Sequence, residues 1–373
     1  MNKKQIGFVL GPLMFAICMW FVNIDELSEE GVAVMASTLW VACWWILEVI
    51  PISVTALLPI ILFPLTGAMD IESTTAAFGH RYIFLYIGGF TLAIAIERWN
   101  LHKRIALQII RLIGTDRKMI VLGFMLATAL LSMWISNTAT SVMMLPIGLA
   151  IIGQFGSEGQ SQEDKKNFGR ILMLSIAYSA SIGGIATLVG TPPNLVLAGV
   201  VPEIFAIEIT FFSWMMVGLP ISVILLFTCW KYLTRTKEFQ HESPIRGGLE
   251  EIRAQIKKLG KLSIPEKRIL IIFSFTALAW ICRSFLINRF LPEVDDTIIA
   301  MTAAILLFIL PAGAEDVKRP LINWSEAVKL PWGVLLLFGG GLAIAKGFSS
   351  SGLAVWIGEQ LSLLEGLSLV LIL

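Results

Sequence analysis

A run of small polar residues interrupts an apolar stretch that ends at Gly148. Five such residues stand almost in succession there: Ser136, Asn137, Thr138, Thr140 and Ser141. Hydroxyl and amide oxygens are ligands that hard cations prefer, and hydroxyl and amide hydrogens can be donated to an anion. Such groups are costly against lipid, so we expect them to face a polar cavity.

A second polar interruption lies in the stretch SIGGIATLVGTPPNLVLAG, which begins at Ser181. The adjacent Pro192 and Pro193 have no backbone N–H to donate, and they stop a helix that approaches them. We therefore predict that the apolar segment 171–200 is a helix broken around Gly190–Asn194. The free ends of half-helices offer N–H groups to anions and carbonyl groups to cations.

These two stretches belong to a strongly apolar chain. Of its 373 residues, 56% are hydrophobic and 15% are charged, and the mean hydropathy is +0.80. Soluble domains average about 25% charged residues. Apolar runs that suit membrane helices recur along the whole length: 5–22, 31–49, 52–68, 82–98, 119–150, 171–200, 211–231, 268–288, 297–312, 331–347 and 353–373. We predict an all-α, polytopic membrane protein.

The same sequence argues against several functional classes. It has no cluster of basic residues with interleaved aromatic residues, so we expect no nucleic-acid partner. It has no His-Glu-x-x-His and no Gly-x-Ser-x-Gly motif, so an intramembrane enzyme stays a remote alternative and we predict that the protein is not an enzyme. The three histidines, His80, His102 and His241, fall in linkers, and we expect them at the surface.

Charged linkers predict how the segments are oriented. Basic residues dominate the linkers 99–121 and 231–268, whereas linker 23–30 is acidic. Because excess Lys and Arg marks the cytoplasmic side, we place the N-terminus in the cytoplasm and the protein in the inner (cell) membrane. Segment 119–150 then begins and ends on the cytoplasmic side, which favours a re-entrant hairpin with the polar run at its tip.

The chain contains an internal repeat. The stretches at 86–101 and 337–353 share a glycine cluster followed by Leu-Ala-Ile-Ala. An odd number of predicted crossings separates the two copies, so the second copy is inverted, as in many secondary transporters. A second polar tip is then expected about 250 residues after Ser136, beyond Leu373, and we expect the second repeat to be truncated.

This repeat divides the chain into four expected parts. An N-terminal helix covers 1–30, and a first repeat with scaffold helices, hairpin and broken helix covers 31–231. A cytoplasmic linker covers 232–267, and an incomplete second repeat covers 268–373.

Two motifs together resemble a known transporter family. Ser136-Asn137-Thr138 at a hairpin tip is followed some fifty residues later by Gly190-Thr191-Pro192-Pro193-Asn194, and Glu48-Val49-Ile50-Pro51 forms an early Glu-x-x-Pro stretch. This combination resembles the divalent anion:sodium symporters, which carry dicarboxylates, citrate or sulfate. The resemblance runs from about residue 5 to residue 373.

The resemblance implies an elevator-type homodimer in the lipid bilayer, with sodium as the coupling ion and a small dianion as the substrate. The residues that would hold sodium are Ser132, Ser136, Asn137 and the backbone carbonyl of Gly190. The residues that would line the substrate side are Asn137, Thr138, Thr191 and Pro192. The second tip and second broken loop, which would complete the site, are expected beyond this chain.

The residue chemistry agrees with such a site but leaves alternatives open. No Arg or Lys lies in 119–150 or 187–194, so we expect neutral donors and bound sodium, not a salt bridge, to offset the charge of the anion. A sodium-independent anion exchanger and a channel remain alternatives. Ser and Thr in membrane helices also often only join neighbouring helices, and the two prolines can mark a simple kink. The sequence leaves the identity of the dianion open.

Overall fold

The computed structural model describes residues 2–22, 24, 26–114, 116–154, 162–205, 207–235, 248–313 and 316–362. This part of the chain is predominantly helical. Its helices, numbered in chain order, are α1 Lys3–Phe21, α2 Glu29–Leu47, α3 Ile52–Thr55, α4 Leu58–Thr66, α5 Ile71–Ala76, α6 Arg81–Arg98, α7 Leu101–Ile113, α8 Arg117–Ser132, α9 Asn137–Gln154, α10 Gln162–Ile185, α11 Pro192–Phe205, α12 Phe211–Leu233, α13 Gly248–Leu259, α14 Ile264–Cys282, α15 Asp296–Ile309, α16 Trp324–Ala327, α17 Trp332–Ser350 and α18 Leu353–Ser362.

The predicted fold class is confirmed. Within the described residues, six helical segments are long and apolar enough to cross a membrane, and four shorter apolar helical segments accompany them. The described residues also include one pair of short strands, β1 Pro311–Gly313 and β2 Asp316–Pro320, which form an antiparallel ribbon. The protein is therefore an all-α, multi-pass membrane protein.

The chain forms two compact units, and each unit is discontinuous in sequence. The first unit contains 1–84, 196–208 and 331–373, and the second contains 85–195 and 209–330. This grouping follows packing and not chain order, so the division into 1–30, 31–231, 232–267 and 268–373 stays a prediction.

The first unit is built on close helix contacts at glycines. Trp44 Nε1 of α2 donates a hydrogen bond to the carbonyl of Gly7 in α1, at 2.9 Å. In α17, a Cβ atom at Gly340 would stand 2.3 Å from the backbone oxygen of Ala56. Only glycine allows the helix to approach the α3–α4 connection so closely.

The second unit has a large core that α8 and α10 share. A Cβ atom at Gly183 of α10 would stand 2.3 Å from the backbone oxygen of Ala129 in α8, so these helices pack backbone to backbone. Elsewhere in this unit, a Cβ atom at Gly88 of α6 would stand 2.6 Å from the backbone of Ala300 in α15. The core places α8 and α10, which lead into the two polar interruptions, directly against each other.

A buried ion pair holds α13 in the second unit. Arg104 of α7 donates to Glu266 at 2.8 Å, and its guanidinium also reaches the carbonyls of Leu259 and Gly260 at the end of α13. Burial alone would raise the pKa of Glu266, but the hydrogen bonds from Arg104 and from Ser263 outweigh burial and lower it. Glu266 also closes a capping box with Ser263 at the start of α14.

Several sequence expectations differ from the structure. The apolar segment 52–68 is two helices, α3 and α4, and not one span. The expectation of a surface position for His102 is wrong, because α7 is amphipathic and turns this residue inward, where it is 3% exposed. His80 is half-buried, and His241 lies outside the described residues.

Candidate functional site

The polar run of the first stretch lies at a turn between two helices. Helix α8 ends at Ser132 and α9 begins at Asn137, so the predicted turn within 119–150 is confirmed at 133–136. Ser136 caps α9, because its Oγ accepts a hydrogen bond from the Ala139 amide at 3.3 Å. This cap leaves Asn137 as the first residue of α9, beside the turn. Whether the hairpin is re-entrant stays a prediction.

The second interruption is a break between α10 and α11. Helix α10 ends at Ile185 and α11 starts at Pro192, so the break lies at 186–191, slightly earlier than the predicted Gly190–Asn194. Pro192 and Pro193 occupy the first turn of α11, where a missing N–H breaks no intrahelical hydrogen bond. The prolines therefore begin the second half-helix and do not themselves form the gap.

Ser132 joins the hairpin to α10. Its Oγ lies 2.8 Å from Asn137 Oδ1 and 2.7 Å from the backbone oxygen of Ala180. A hydroxyl has one proton, so Ser132 can donate to only one of these oxygens. If it donates to Ala180, the Asn137 amide can turn its NH₂ toward Ser132 Oγ, and this turns Oδ1 away. The hydrogen bonds of Ser132 therefore allow either orientation of the Asn137 amide, and the flipped one would free a carbonyl oxygen for a ligand.

Gly184 is where the hairpin and the broken helix meet. A Cβ atom at Gly184 would stand 2.4 Å from Asn137 Oδ1, and a Cβ atom at Gly190 would stand 2.5 Å from the Gly184 carbonyl oxygen. Both contacts require the absence of a side chain. Asn137 and Gly190 therefore pack on the same residue, which brings the two polar stretches together.

Asn194 and Thr187 fix the shape of the break. The buried Asn194 Nδ2 donates to the carbonyls of Gly184 at 2.9 Å and Thr187 at 2.7 Å. The Thr187 hydroxyl donates to the carbonyl of Met133 in the hairpin turn. These bonds tie the end of α10, the break and the hairpin into one polar network.

The carbonyl groups at the end of α10 are all engaged. The last four carbonyls of a helix lack intrahelical partners and need other donors. Here the donors are Ser222 Oγ for Ile182, the Ala186 amide for Gly183, Asn194 Nδ2 for Gly184 and Trp214 Nε1 for Ile185. In the described chain no hydrogen bond reaches the carbonyl of Gly190, so this oxygen is available to a ligand.

The sequence-predicted residues differ in how closely the structure gathers them. Ser132 and Gly190 are buried, and Asn137 is half-buried; these three meet around Gly184. Ser136, Thr191 and Pro192 are half-buried, and Thr138 is exposed. Among the described residues, no side-chain hydrogen bond joins Thr138 or Thr191 to this network.

An aromatic cluster supports the hairpin turn. Trp134 stacks on Trp280 with ring centroids 6.1 Å apart and meets Phe273 edge-on at 4.8 Å. Trp280 Nε1 donates to the backbone oxygen of Asp296 at 2.9 Å, and the Asp296 carboxylate pairs with buried Arg283 at 3.2 Å. This ion pair therefore holds Trp280 in place against Trp134, which lies two residues before Ser136 in the hairpin turn.

The donor set suits a hard cation of low charge. Every polar group gathered around Gly184 is a neutral hydroxyl, amide or backbone carbonyl, and oxygen is the ligand that hard cations prefer. The hydroxyl of buried Thr140, one turn into α9, has no hydrogen-bond partner within the described chain. The same residues include no group of three or more His, Cys, Asp or Glu that could hold a transition metal. The residues therefore fit sodium.

Sequence reasoning missed three residues of this network. Gly184 reads as a close-packing glycine, which it is, but its partner is the amide of Asn137. Thr187 carries no motif of its own. Asn194 belongs to the Gly-Thr-Pro-Pro-Asn motif, and an amide directly after two prolines, in the first turn of the second half-helix, is the signal that marks it as a cap for orphan carbonyls.

Comparisons with known proteins identify the family of this chain. A family model described as "Sodium:sulfate symporter transmembrane region" matches residues 3–372. The sodium-dependent dicarboxylate transporter SdcS of Staphylococcus saprophyticus is 48% identical over 382 residues, which cover 98% of this chain and 73% of that protein. SdcS of Staphylococcus aureus strains RF122 and USA300 is 47% identical over 375 residues, with 99% of this chain and 72% of each relative covered.

These matches confirm the resemblance drawn from the two polar motifs. They also confirm that the protein is a transporter and not an enzyme. The chain belongs to the sodium:sulfate symporter family of membrane transport proteins.

Proposed function

We propose that this protein carries a small dicarboxylate across the cell membrane together with sodium ions. One observation carries the proposal: Asn137 of the hairpin and Gly190 of the broken helix pack on the same residue, Gly184. Two broken elements that meet inside a membrane protein leave backbone and amide groups free to hold ions. The relatives' description as sodium-dependent dicarboxylate transporters supports this choice of cargo.

In this proposal, sodium binds to Ser132, Ser136, Asn137 and the Gly190 carbonyl. Ser132 and Asn137 are already within hydrogen-bond distance of each other, at 2.8 Å. The Gly190 carbonyl has no described hydrogen-bond donor, whereas the carbonyls at the end of α10 do. Neutral oxygens hold sodium without adding a fixed negative charge that would repel the anion.

The dicarboxylate binds on the side formed by Asn137, Thr138, Thr191 and Pro192. Thr138 is exposed and Thr191 is half-buried, so both hydroxyls can donate to a carboxylate. Both stand beside the N-terminal ends of helices, α9 and α11, where the helix dipole favours a negative charge. Asn137 contributes to both the cation and the anion, which would couple their binding.

We extend the proposal to an elevator-type homodimer with inverted repeats and a cytoplasmic N-terminus in the inner membrane. Two packing contacts support the repeat: Gly88 of α6 lies against Ala300 of α15, and Gly340 of α17 lies against the carbonyl of Ala56. The helix of the first copy, 86–101, thus packs on a segment that precedes the second copy in sequence. The helix of the second copy, 337–353, packs on a segment that precedes the first. The excess of Lys and Arg in 99–121 and 231–268 supports the orientation.

Uptake by proteoliposomes that contain the purified protein tests the proposal. We expect labelled succinate to accumulate only with an inward sodium gradient, and Asn137→Ala to reduce uptake at least about tenfold because it removes a group shared by both ligands. Gln108→Ala, which removes a half-buried amide from α7, is the control. Normal uptake by Asn137→Ala would refute the site, and uptake without sodium would favour the anion exchanger.

A further inference from the structure

A basic and aromatic groove lies at the end of α12, in the second unit. Its volume is about 810 Å³. It is lined by Lys118, Phe227, Thr228, Trp230, Lys231, Tyr232, Thr234 and Arg235. None of these residues belongs to the network around Gly184.

The groove stands where α12 leaves the hydrocarbon. Helix α12 has 23 residues, so it is about 34 Å long, close to the roughly 30 Å hydrocarbon thickness. Its middle exposes many apolar side chains, including Val217, Val223 and Ile224, at 58–65% of their surface. These side chains form a lipid-facing span, and the groove begins one turn before its last residues.

Three cations converge on the groove from two helices. Lys231 and Arg235 are exposed near the end of α12, and Lys118 is half-buried in the first turn of α8. Trp230 Nε1 donates to the backbone oxygen of Lys118 at 3.0 Å, which joins the two helices at this point. No ion pair links any of the three to a carboxylate among the described residues.

Aromatic side chains frame the cations. The Lys231 Nζ stands 4.7 Å from the centroid of the Phe227 ring, and Phe227 and Trp230 lie 5.6 Å apart. Phe227 is 49% exposed and Tyr232 is 78% exposed. Exposed aromatic residues with cations beside them are typical of the level of lipid headgroups.

We propose that this groove binds an anionic phospholipid. The headgroup phosphate pairs with Lys118, Lys231 and Arg235, and the acyl chains lie along the exposed apolar face of α12. The joint presence of charge and apolar surface favours a lipid over free phosphate, because free phosphate would use the cations but leave Phe227 and its apolar neighbours unoccupied. Basic pockets beside membrane helices bind acidic headgroups in this manner.

Native mass spectrometry of the protein from nanodiscs tests the proposal. Nanodiscs of phosphatidylglycerol mixed with phosphatidylcholine supply the competing lipids. We expect retained phosphatidylglycerol, and at least about a tenfold loss of it in the triple variant Lys118→Gln, Lys231→Gln, Arg235→Gln, because each removes one phosphate contact. The triple variant Lys165→Gln, Lys166→Gln, Arg170→Gln on α10 removes the same charge elsewhere and should retain the lipid.

Three results would overturn the proposal. Equal lipid retention by the groove variant and the parent would exclude the site, and equal loss by the control variant would show only a general charge effect. Displacement of the lipid by excess inorganic phosphate alone would identify a site for free anions. The groove variant keeps the backbone oxygen of residue 118, which accepts the hydrogen bond from Trp230 Nε1, so we expect it to fold. Its melting temperature checks this. Lipid retention is measured without transport, so it does not depend on the proposed function.

Discussion

The substitution Gly184→Ala tests the contact on which the candidate site depends. The new Cβ atom would stand 2.4 Å from Asn137 Oδ1 and 3.1 Å from Asn137 Nδ2. Ordinary van der Waals contact begins near 3.4 Å, so the amide must move by about 1 Å. We expect this movement of the Oδ1 atom to break the Ser132–Asn137 hydrogen bond, which is now 2.8 Å long.

The expected loss in sodium affinity follows from this displacement. Hydrogen bonds or ligand contacts to a charged group contribute about 1.5–3 kcal/mol. Loss of one such contact predicts that the sodium concentration for half-maximal uptake rises roughly 10- to 150-fold. The fold should persist, because alanine has a higher helix propensity than glycine and the atom displaced is a side-chain atom.

Sodium-dependent uptake by proteoliposomes measures this effect. Gly169→Ala is the matched control, because the same change on α10 places Cβ no closer than 3.4 Å to the side chain of Ile152. We expect a normal sodium dependence for the control. In an Asn137→Ala background, Gly184→Ala should have little further effect, because the displaced amide is already absent. A folded Gly184→Ala protein with the parent's sodium dependence would refute the reasoning.

Three further predictions concern stability. Asn194→Ala removes two buried hydrogen bonds and should lower the free energy of unfolding by about 2 kcal/mol. Amide hydrogen exchange at 186–191 should become faster, and unchanged exchange there would contradict this prediction. Burial lowers the pKa of His102 from 6.5 to about 4. As the pH falls, His102 therefore takes up a proton in the unfolded chain before it does so in the folded protein. The free energy of unfolding should then fall by up to about 3 kcal/mol between pH 6.5 and pH 4. His102→Gln should lack this component in thermal melts, and identical pH curves would contradict it. Asp296→Asn removes the carboxylate charge that pairs with buried Arg283 and should cost about 3–5 kcal/mol. An unchanged melting temperature would show that the pair is not structural.

The sequence predicted the polar elements of the site well because their signals are local. A cluster of hydroxyl and amide groups in an apolar run, as at Asn137, favours a turn or a polar cavity. Adjacent prolines forbid two backbone hydrogen bonds, so a break near Pro192 follows from covalent structure alone. These features need no knowledge of the neighbouring helices.

The remaining features depend on the register between helices, which a single sequence does not contain. Gly184 meets Asn137 only because α9 and α10 pack at one particular register, and a shift by one residue would place Ile185 there. His102 is buried because the apolar face of α7 includes it, although the linker composition around it is basic. The short ribbon β1–β2 follows the apolar helix α15. Its sequence lacks the alternation of apolar and polar residues that would have predicted strands.

The two prolines explain why the break can serve a cation. In a continuous helix, the amides of residues 192 and 193 would donate to the carbonyls of Leu188 and Val189, but proline has no N–H. The Asn194 amide, which would reach Gly190, instead donates to the carbonyl of Thr191 at 3.2 Å. Asn194 and other donors meanwhile engage the end of α10. The carbonyls of residues 188–190 thus lose these partners, and Gly190 packs on Gly184, which also contacts Asn137. Buried carbonyls without donors are stabilised when a cation takes the place of the missing N–H groups.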